Sequence, residues 1–160
     1  MKSSHAESLG FMSNDEAAKQ GAAFRRAMPV SRMLDYGMAA DDAKRAHRIV
    51  EQGAPWDEAL EAIGEAAIEV ACKASSAAAA ADAWRQAGAA LIFAQMAFNF
   101  DTERKRFLYL RMNACIREFA QRAPMPIDKV ELPYREGKLF GWRCRPIAKR
   151  ADPRSSFLAV

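Results

Sequence analysis

The chain has 160 residues, of which 51% are hydrophobic and 28% are charged. A chain of this length can bury one core, and its apolar content excludes an intrinsically disordered protein. No apolar stretch reaches the roughly 18 residues that a membrane-spanning helix requires, so a soluble protein without a membrane partner is expected. The first twenty residues contain no apolar segment of the secretory type, which predicts a cytoplasmic location.

The net charge of +4 is unevenly distributed along the chain. Residues 1–123 contain 16 basic and 16 acidic residues, whereas residues 124–160 contain 8 basic and 4 acidic residues. The basic run "RKR" at residues 104–106 is short and is not interleaved with aromatic residues. The sequence therefore does not predict a nucleic-acid partner.

Cysteine and histidine usage bounds the chemistry. The cysteines Cys72, Cys115 and Cys144 are odd in number and widely spaced, which is typical of reduced thiols in an intracellular protein. Cys72 and Cys115 stand among apolar residues, so both are predicted to lie in the core. His5 and His47 have no partner at ligand spacing, so no metal site is predicted, and no other cofactor is indicated.

The N-terminal third predicts short helical segments. Residues 1–30 form a lead-in, partly helical, in which Asn14 or Ser13 caps "DEAAKQGAAFRRA" and Pro29 ends it. The segment "SRMLDYG" predicts a short turn. A helix follows in "AADDAKRAHRIVEQG", with acidic residues in its first turn and Gly53 just beyond its end.

The next helix is predicted in "PWDEALEAIGEAAIEVACKASS" and has two stripes. The apolar stripe consists of Leu60, Ile63, Ala67, Val70 and Ala74, and the acidic stripe consists of Glu58, Glu61, Glu65 and Glu69. Four carboxylates are compatible with acid–base chemistry or a cation site. Because they lie one turn apart on one face, the sequence favours a solvent-exposed face, with Lys73 positioned to pair with Glu69.

Two long helices are predicted after residue 75. "SAAAAADAWRQAGAALIFAQMAFNF" is apolar nearly all round, which predicts a central helix, and its small residues Ala87, Gly88 and Ala89 would permit a close helix crossing. Asp101 is the predicted N-cap of "DTERKRFLYLRMNACIREFAQRA", which extends to Pro124. The apolar stripe of this last helix consists of Leu108, Met112, Cys115 and Phe119. The two segments predict an antiparallel helical hairpin.

This helical hairpin resembles a tetratricopeptide unit in "AWRQAGAAL" followed by "YLRMNACIREFA". Only one such unit is present, whereas stacked repeats need about three to bury a shared core. A stand-alone helical protein-interaction module is therefore kept as the alternative function.

The C-terminal segment changes character. "KVELPY" and "KLFGWRCRP" predict two strands of a β-hairpin joined at "REG", with Gly137 supplying a positive backbone angle, and "SSFLAV" predicts the start of a third strand. An isolated two-stranded hairpin is marginally stable in water, so these strands are predicted to join a larger sheet.

The order of these segments resembles the N-terminal part of α/β-hydrolases that carry a helical cap. The family includes fermentation-respiration switch-type esterases, pseudooxynicotine-type carbon–carbon hydrolases and dienelactone-hydrolase-like enzymes. The resemblance covers residues 32–160 and is most specific in the hairpin, which follows the pattern V-E-x-P-Y-x-x-G-x-L-x-G-W-x-x-x-P. It implies the cap and first strands of a serine hydrolase that acts on ester-like or activated carbon–carbon bonds.

The resemblance also implies what this chain would need. Family members carry a nucleophilic Ser in a G-x-S-x-G elbow, followed by an acid and a His. The sequence contains no G-x-S-x-G, so no residue is assigned as catalytic and the chain alone is expected to be inactive. The expected partner is an α/β-hydrolase core, whether this chain is an excerpted fragment, a truncated product or half of a split enzyme; a homo-oligomer is a further candidate.

Four large side chains, Phe93, Met96, Phe98 and Tyr109, are the predicted lining of a substrate pocket, with ordinary core packing as the alternative. Trp142 and Tyr134 are predicted to pack against or cap the sheet edge. The predicted fold is mainly α: a bundle of four to five helices with a central antiparallel helical hairpin, followed by a β-hairpin and the start of a third strand. The predicted regions are a lead-in at 1–30, a cap at 31–123 and the first strands of a hydrolase core at 124–160.

Overall fold

The structure, a computed structural model, describes residues 14–145, with side chains described from residue 19 onward. Within these residues, six helices precede two antiparallel strands, which is the predicted mainly helical fold followed by a β-hairpin. The helices are α1 Asn14–Ala27, α2 Val30–Asp35, α3 Ala40–Glu51, α4 Trp56–Lys73, α5 Ala77–Gln95 and α6 Glu103–Arg122, and the strands are β1 Ile127–Tyr134 and β2 Gly137–Cys144. Ser13, His5 and the third strand predicted in "SSFLAV" lie outside the described residues.

The described residues contain more helices than the four to five predicted, because the segment expected to be a turn forms α2. Pro29 stands at its N-cap with φ −62° and cannot continue the preceding helix. Gly37, with φ +87°, ends it: its N–H donates to the Leu34 carbonyl oxygen at 2.8 Å, and the Met38 N–H donates to Met33 at 3.1 Å. A helix of six residues is too short to show a period in the sequence.

The end of α3 confirms the prediction at Gly53. This glycine has φ +102°, and its N–H donates to the Val50 carbonyl oxygen at 3.1 Å. The Ala54 N–H reaches back to Ile49 at 3.3 Å, which completes a Schellman motif. A side chain at Gly53 would be strained, so glycine here fixes where α3 stops.

Trp56, the first residue of α4, joins several helices of the bundle. Its side chain is completely buried, and its indole N–H donates to the Phe93 carbonyl oxygen in α5 at 2.9 Å. Phe24 of α1 stacks on the indole with ring centroids 5.5 Å apart, and His47 of α3 meets it edge-on at 5.9 Å. The His47 Nε2 in turn donates to the Met28 carbonyl oxygen at 2.9 Å. These contacts give His47 a structural role in the packing of the bundle.

Helix α5 is the central helix, as predicted from its nearly uniform apolar character. A Cβ on Gly88 would lie 2.8 Å from the Cδ1 of Ile116 in α6, and a Cβ on Gly64 of α4 would lie 3.1 Å from Leu91 Cγ. Ala87 is completely buried between these contacts. Small residues therefore set the two close crossings of α5, one with α4 and one with α6.

The beginning of α6 and the outer half of α4 correct three predictions. Thr102, rather than Asp101, is the N-cap of α6, and its hydroxyl accepts from the Lys105 N–H at 3.1 Å. Val70 is 62% exposed, because it lies on the wall of an open groove between α4 and α5 rather than beneath another helix. Cys72 is exposed on the same part of α4, whereas Cys115 is buried as predicted.

The β-hairpin pairs Ile127 with Cys144 at its open end and Tyr134 with Gly137 at the turn. The turn residues are Arg135 and Glu136, and the positive backbone angle belongs to Arg135, with φ +50°, rather than to Gly137 as predicted. The two-residue connection brings the strands into register directly, and Gly137 becomes the first residue of β2.

Candidate functional site

A cluster of ion pairs joins α4 to α6. The prediction that the whole acidic stripe is solvent-exposed is therefore wrong for its inner carboxylates. Arg104 pairs with Asp57 at 3.0 Å and also with Glu61, while Arg111 pairs with Glu61 at 2.8 Å and with Glu65. Burial alone would lower the pKa of Arg104, but the hydrogen bonds that its guanidinium donates to Glu61 and Asp57 outweigh burial and raise the pKa.

The remaining members of this cluster support a structural role. The Phe107 ring lies beneath both guanidinium groups, 5.9 Å from Arg104 and 5.4 Å from Arg111. Only Glu58 and Glu69 of the acidic stripe are exposed, and Glu69 pairs with Lys73 at 3.4 Å as predicted. All the charges of the inner carboxylates are thus matched within the protein.

The β-hairpin exposes large apolar side chains on both of its faces. Side chains alternate between its two faces. One face, here called the open face, carries Val130, Leu132, Tyr134 and Leu139. Leu132 and Leu139 are directly opposite each other and are 57% and 52% exposed. An uncovered leucine pair at the centre of a sheet face indicates a surface that other elements are meant to cover.

The other face, here called the groove face, meets α6 across a groove of about 240 Å³. The hairpin contributes Lys129, Phe140 and Trp142, and α6 contributes Tyr109, Leu110, Asn113 and Arg117. Leu110 is 66% exposed despite lying in the middle of a helix. The groove thus has an apolar wall on both sides and basic groups at its rim.

Charged side chains hold the hairpin together across the strands. The Lys129 Nζ lies 4.5 Å from the Phe140 ring centroid and 3.2 Å from Glu131, which also pairs with Lys138 at 3.2 Å. Hydrogen bonds from Lys129 and then Lys138 lower the pKa of Glu131. At the open end, Asp128 pairs with Arg145 at 2.8 Å.

The structure brings three of the four predicted pocket residues together. Phe93 is completely buried in the bundle core, and Met96 and Phe98 pack against that core while half-buried. Tyr109 lies apart from them, exposed on α6 in the groove against the hairpin. Core packing accounts for the first three in this arrangement, and their role as pocket lining stays a prediction.

Sequence reasoning missed most of the groove residues. Tyr109 is among the predicted pocket residues, but Leu110, Asn113 and Arg117 are not, because the apolar stripe of α6 identifies only the buried side of this helix. The sequence feature that could have indicated the groove is Leu110, a large apolar residue that lies outside this stripe. Trp142 is half-buried and lines the groove, whereas Tyr134 is half-exposed on the open face.

A second, wider cleft of about 540 Å³ lies where α4 ends and α5 begins. Cys72, Ser76 and Trp84 line it, and the Arg122 side chain closes one side by pairing with Glu118 at 2.6 Å. The cleft is shallow and open, and its charged groups already pair with each other. The hairpin therefore remains the stronger candidate for a functional surface.

Neither a metal centre nor a membrane-spanning helix is found among the described residues. Within residues 14–145, no group of three or more His, Cys, Asp or Glu side chains is placed to hold a metal ion. No helix in the same range has both the length and the apolar character needed to cross a membrane.

Comparisons with protein-family models, with curated protein sequences and with solved structures gave no significant match to this chain.

Proposed function

We propose that the helical bundle is the cap of a serine α/β-hydrolase acting on ester-like or activated carbon–carbon bonds, and that β1 and β2 are the first strands of its core sheet. The observation that carries the proposal is the hairpin, which exposes apolar side chains on both faces. Sheets in α/β proteins are covered on both faces, so their strands are apolar on both sides. The open face, with Leu132 and Leu139, and the groove face, with Phe140 and Trp142, fit that requirement.

The bundle supports the second half of the proposal. Its core is closed around Trp56 and α5, and its inner charges are paired, so it can act as a rigid unit. A rigid cap over the ends of a core sheet excludes water from the reacting bond and shapes an apolar pocket. Tyr109 and Leu110 are the large side chains of α6 that line the groove against the hairpin, and in this proposal they face such a core.

In this proposal the catalytic residues belong to a hydrolase core outside these 160 residues. The decisive experiment is to read the coding DNA for about 600 nucleotides past Val160, the extent of an ordinary domain. A frame encoding G-x-S-x-G followed by an acid and a His is expected. The longer product should hydrolyse a short-chain aryl ester and lose that activity when the elbow Ser is replaced by Ala. The 160-residue chain should show no turnover; serine-reagent-insensitive turnover by this chain would contradict the proposal.

A second function, from a different class, is a helical interaction module whose hairpin adds to the sheet edge of a partner. The same uncovered hairpin favours it, because unpaired strand edges are templates for a further strand. The absence of any hydrolase core in the neighbouring coding sequence would select this function over the first.

A further inference from the structure

The hydrogen-bonding pattern of the hairpin identifies which backbone groups face outward at each strand edge. The Arg145 N–H donates to the Pro126 carbonyl oxygen at 2.9 Å, so these residues form a hydrogen-bonded pair. Pairs in an antiparallel ladder alternate between bonded and non-bonded. The even-numbered residues of β1 and the odd-numbered residues of β2 therefore face each other, and the remaining residues direct their N–H and C=O groups outward.

The two edges differ at one residue. The outward-facing positions of β1 are Ile127, Lys129, Glu131 and Pro133, and those of β2 are Lys138, Phe140, Trp142 and Cys144. Pro133 has no N–H, so the β1 edge lacks one donor that a neighbouring strand would need. The β2 edge has all four donors and all four acceptors, and no backbone hydrogen bond within residues 14–145 uses them.

From this asymmetry we infer that β2 is the edge that accepts a further strand, and that in the free chain this strand is β2 of a second copy. The inference rests on the edge geometry and goes beyond the hydrolase proposal, which can fail without affecting it. It yields a four-stranded antiparallel sheet with two-fold symmetry, in which both β1 strands are outermost.

The sequence of β2 is complementary to itself. The register that pairs all four outward-facing residues places Gly141 opposite Gly141 of the second copy and Phe140 opposite Trp142 of the second copy. The latter contact is an aromatic cross-strand pair, which stabilises antiparallel sheets. Lys138 then faces Cys144 of the second copy, so no like charges are opposed. A two-fold axis perpendicular to the sheet also places both α6 helices, each with its exposed Leu110, over the groove face of the four-stranded sheet.

A cross-linking experiment tests this register directly. Gly141 is a non-bonded position of the new pair, where Cα atoms of opposed residues lie about 4.5 Å apart, within disulfide range. No atom lies within 4 Å of a Cβ built on Gly141, so Gly141→Cys introduces no clash. The variant is made in a chain carrying Cys72→Ser and Cys144→Ser, which leaves only the buried Cys115 as a native thiol.

The matched control is Val130→Cys in the same background, because Val130 is opposite Gly141 in the hairpin and holds the equivalent position on β1. Mild oxidation of dilute protein is expected to convert most of the Gly141→Cys chains to covalent dimers, at least about tenfold more than for Val130→Cys, since proximity drives the exchange. Equal cross-linking of the two variants, or more from Val130→Cys, overturns the inference.

Sedimentation equilibrium of the unmodified chain supplies an independent test. The chain should show a monomer–dimer equilibrium, and Lys138→Pro, which removes an outward N–H from each copy, should weaken it by about tenfold or more. Glu131→Pro makes the same change on the β1 edge and should leave dimerisation unchanged; circular dichroism checks that both variants keep their helices. A monomer at all concentrations, or equal effects of the two prolines, overturns the self-pairing.

Discussion

The helical bundle and the β-hairpin of this chain differ in how far their apolar side chains are buried and their backbone edges are paired. The bundle buries Trp56, Phe93, Leu91 and Leu108 completely, and its partly buried carboxylates have basic partners. The hairpin leaves Leu132, Leu139 and Phe140 more than half exposed and both of its strand edges without a neighbour within the described residues. The bundle thus has a buried core of its own, whereas an isolated two-stranded hairpin is marginally stable in water.

This difference indicates where function is to be sought. Buried apolar residues and paired charges are accounted for by their contribution to folding stability. An exposed apolar patch contributes little to stability and instead indicates an interaction site. Substitutions should therefore destabilise the chain when they fall in the bundle and should alter association when they fall in the hairpin.

The largest expected contrast is between two tryptophans. Trp56→Ala removes a completely buried side chain with a hydrogen bond to Phe93 and a stacked Phe24, so it should cost about 3–5 kcal/mol of unfolding free energy. Trp142→Ala, in the half-buried groove, should cost the bundle less than about 1 kcal/mol. Urea unfolding followed by the helical circular dichroism signal measures both, and equal losses would contradict the division into two regions.

Thiol reactivity gives the next contrast. Burial raises the pKa of Cys115 in α6 to about 11, from an ordinary value of 9.0, whereas Cys144 of β2 is exposed. Iodoacetamide at pH 8 should modify the exposed Cys144 and Cys72, while Cys115 should react roughly 100-fold more slowly than it would with a pKa of 9.0, since each pKa unit changes the thiolate fraction tenfold. Mass spectrometry of the labelled peptides measures the rates.

The same pKa shift has a sign for stability. The folded chain holds the Cys115 proton more tightly than the unfolded chain does. The stability that this thiol contributes to the folded state is therefore fully present below pH 9, and the free energy of unfolding decreases as the pH rises from 9 towards 11. A Cys115 that is labelled as rapidly as Cys144 in the folded chain would show that the bundle core is open.

A smaller effect is expected at the close helix crossing. Ala87→Leu would overpack a completely buried position of α5 and should destabilise the chain by about 1–3 kcal/mol. Ala78→Leu is the matched control, because Ala78 is exposed on the same helix and should be nearly neutral. Thermal or urea unfolding distinguishes them, and a neutral Ala87→Leu would mean that α5 does not cross its neighbours tightly.

Much of the fold could be predicted from local sequence rules. Gly53 ends α3, the apolar character of α5 makes it central, and the alternating residues after Pro124 form the hairpin. These features depend on periodicity and on backbone preferences, which a sequence displays directly. Helix α2 could not be predicted because its six residues are shorter than the window in which a helical period is visible.

The features that escaped prediction depend on contacts between distant residues. The spacing of Glu61 and Glu65 correctly places them on one helix face, but their pairing with Arg104 and Arg111 depends on how α6 lies across α4. The groove likewise combines Leu110 of α6 with Phe140 of β2, and no local rule relates the two. Cys72 was placed in the core by its apolar neighbours, although the structure exposes that side of α4.

Amide hydrogen exchange at dilute protein, below the range of self-association, tests the division into a complete bundle and an incomplete hairpin most directly. The Leu139 N–H faces β1 opposite Leu132 and is bonded within the hairpin, yet it should exchange close to its unprotected rate because an isolated pair of strands is marginally stable. The Leu91 N–H, within the central helix, should be slower by about a thousandfold or more. Equal protection of these two amides in the dilute monomer would show that the hairpin is stable without further strands, and would contradict the account.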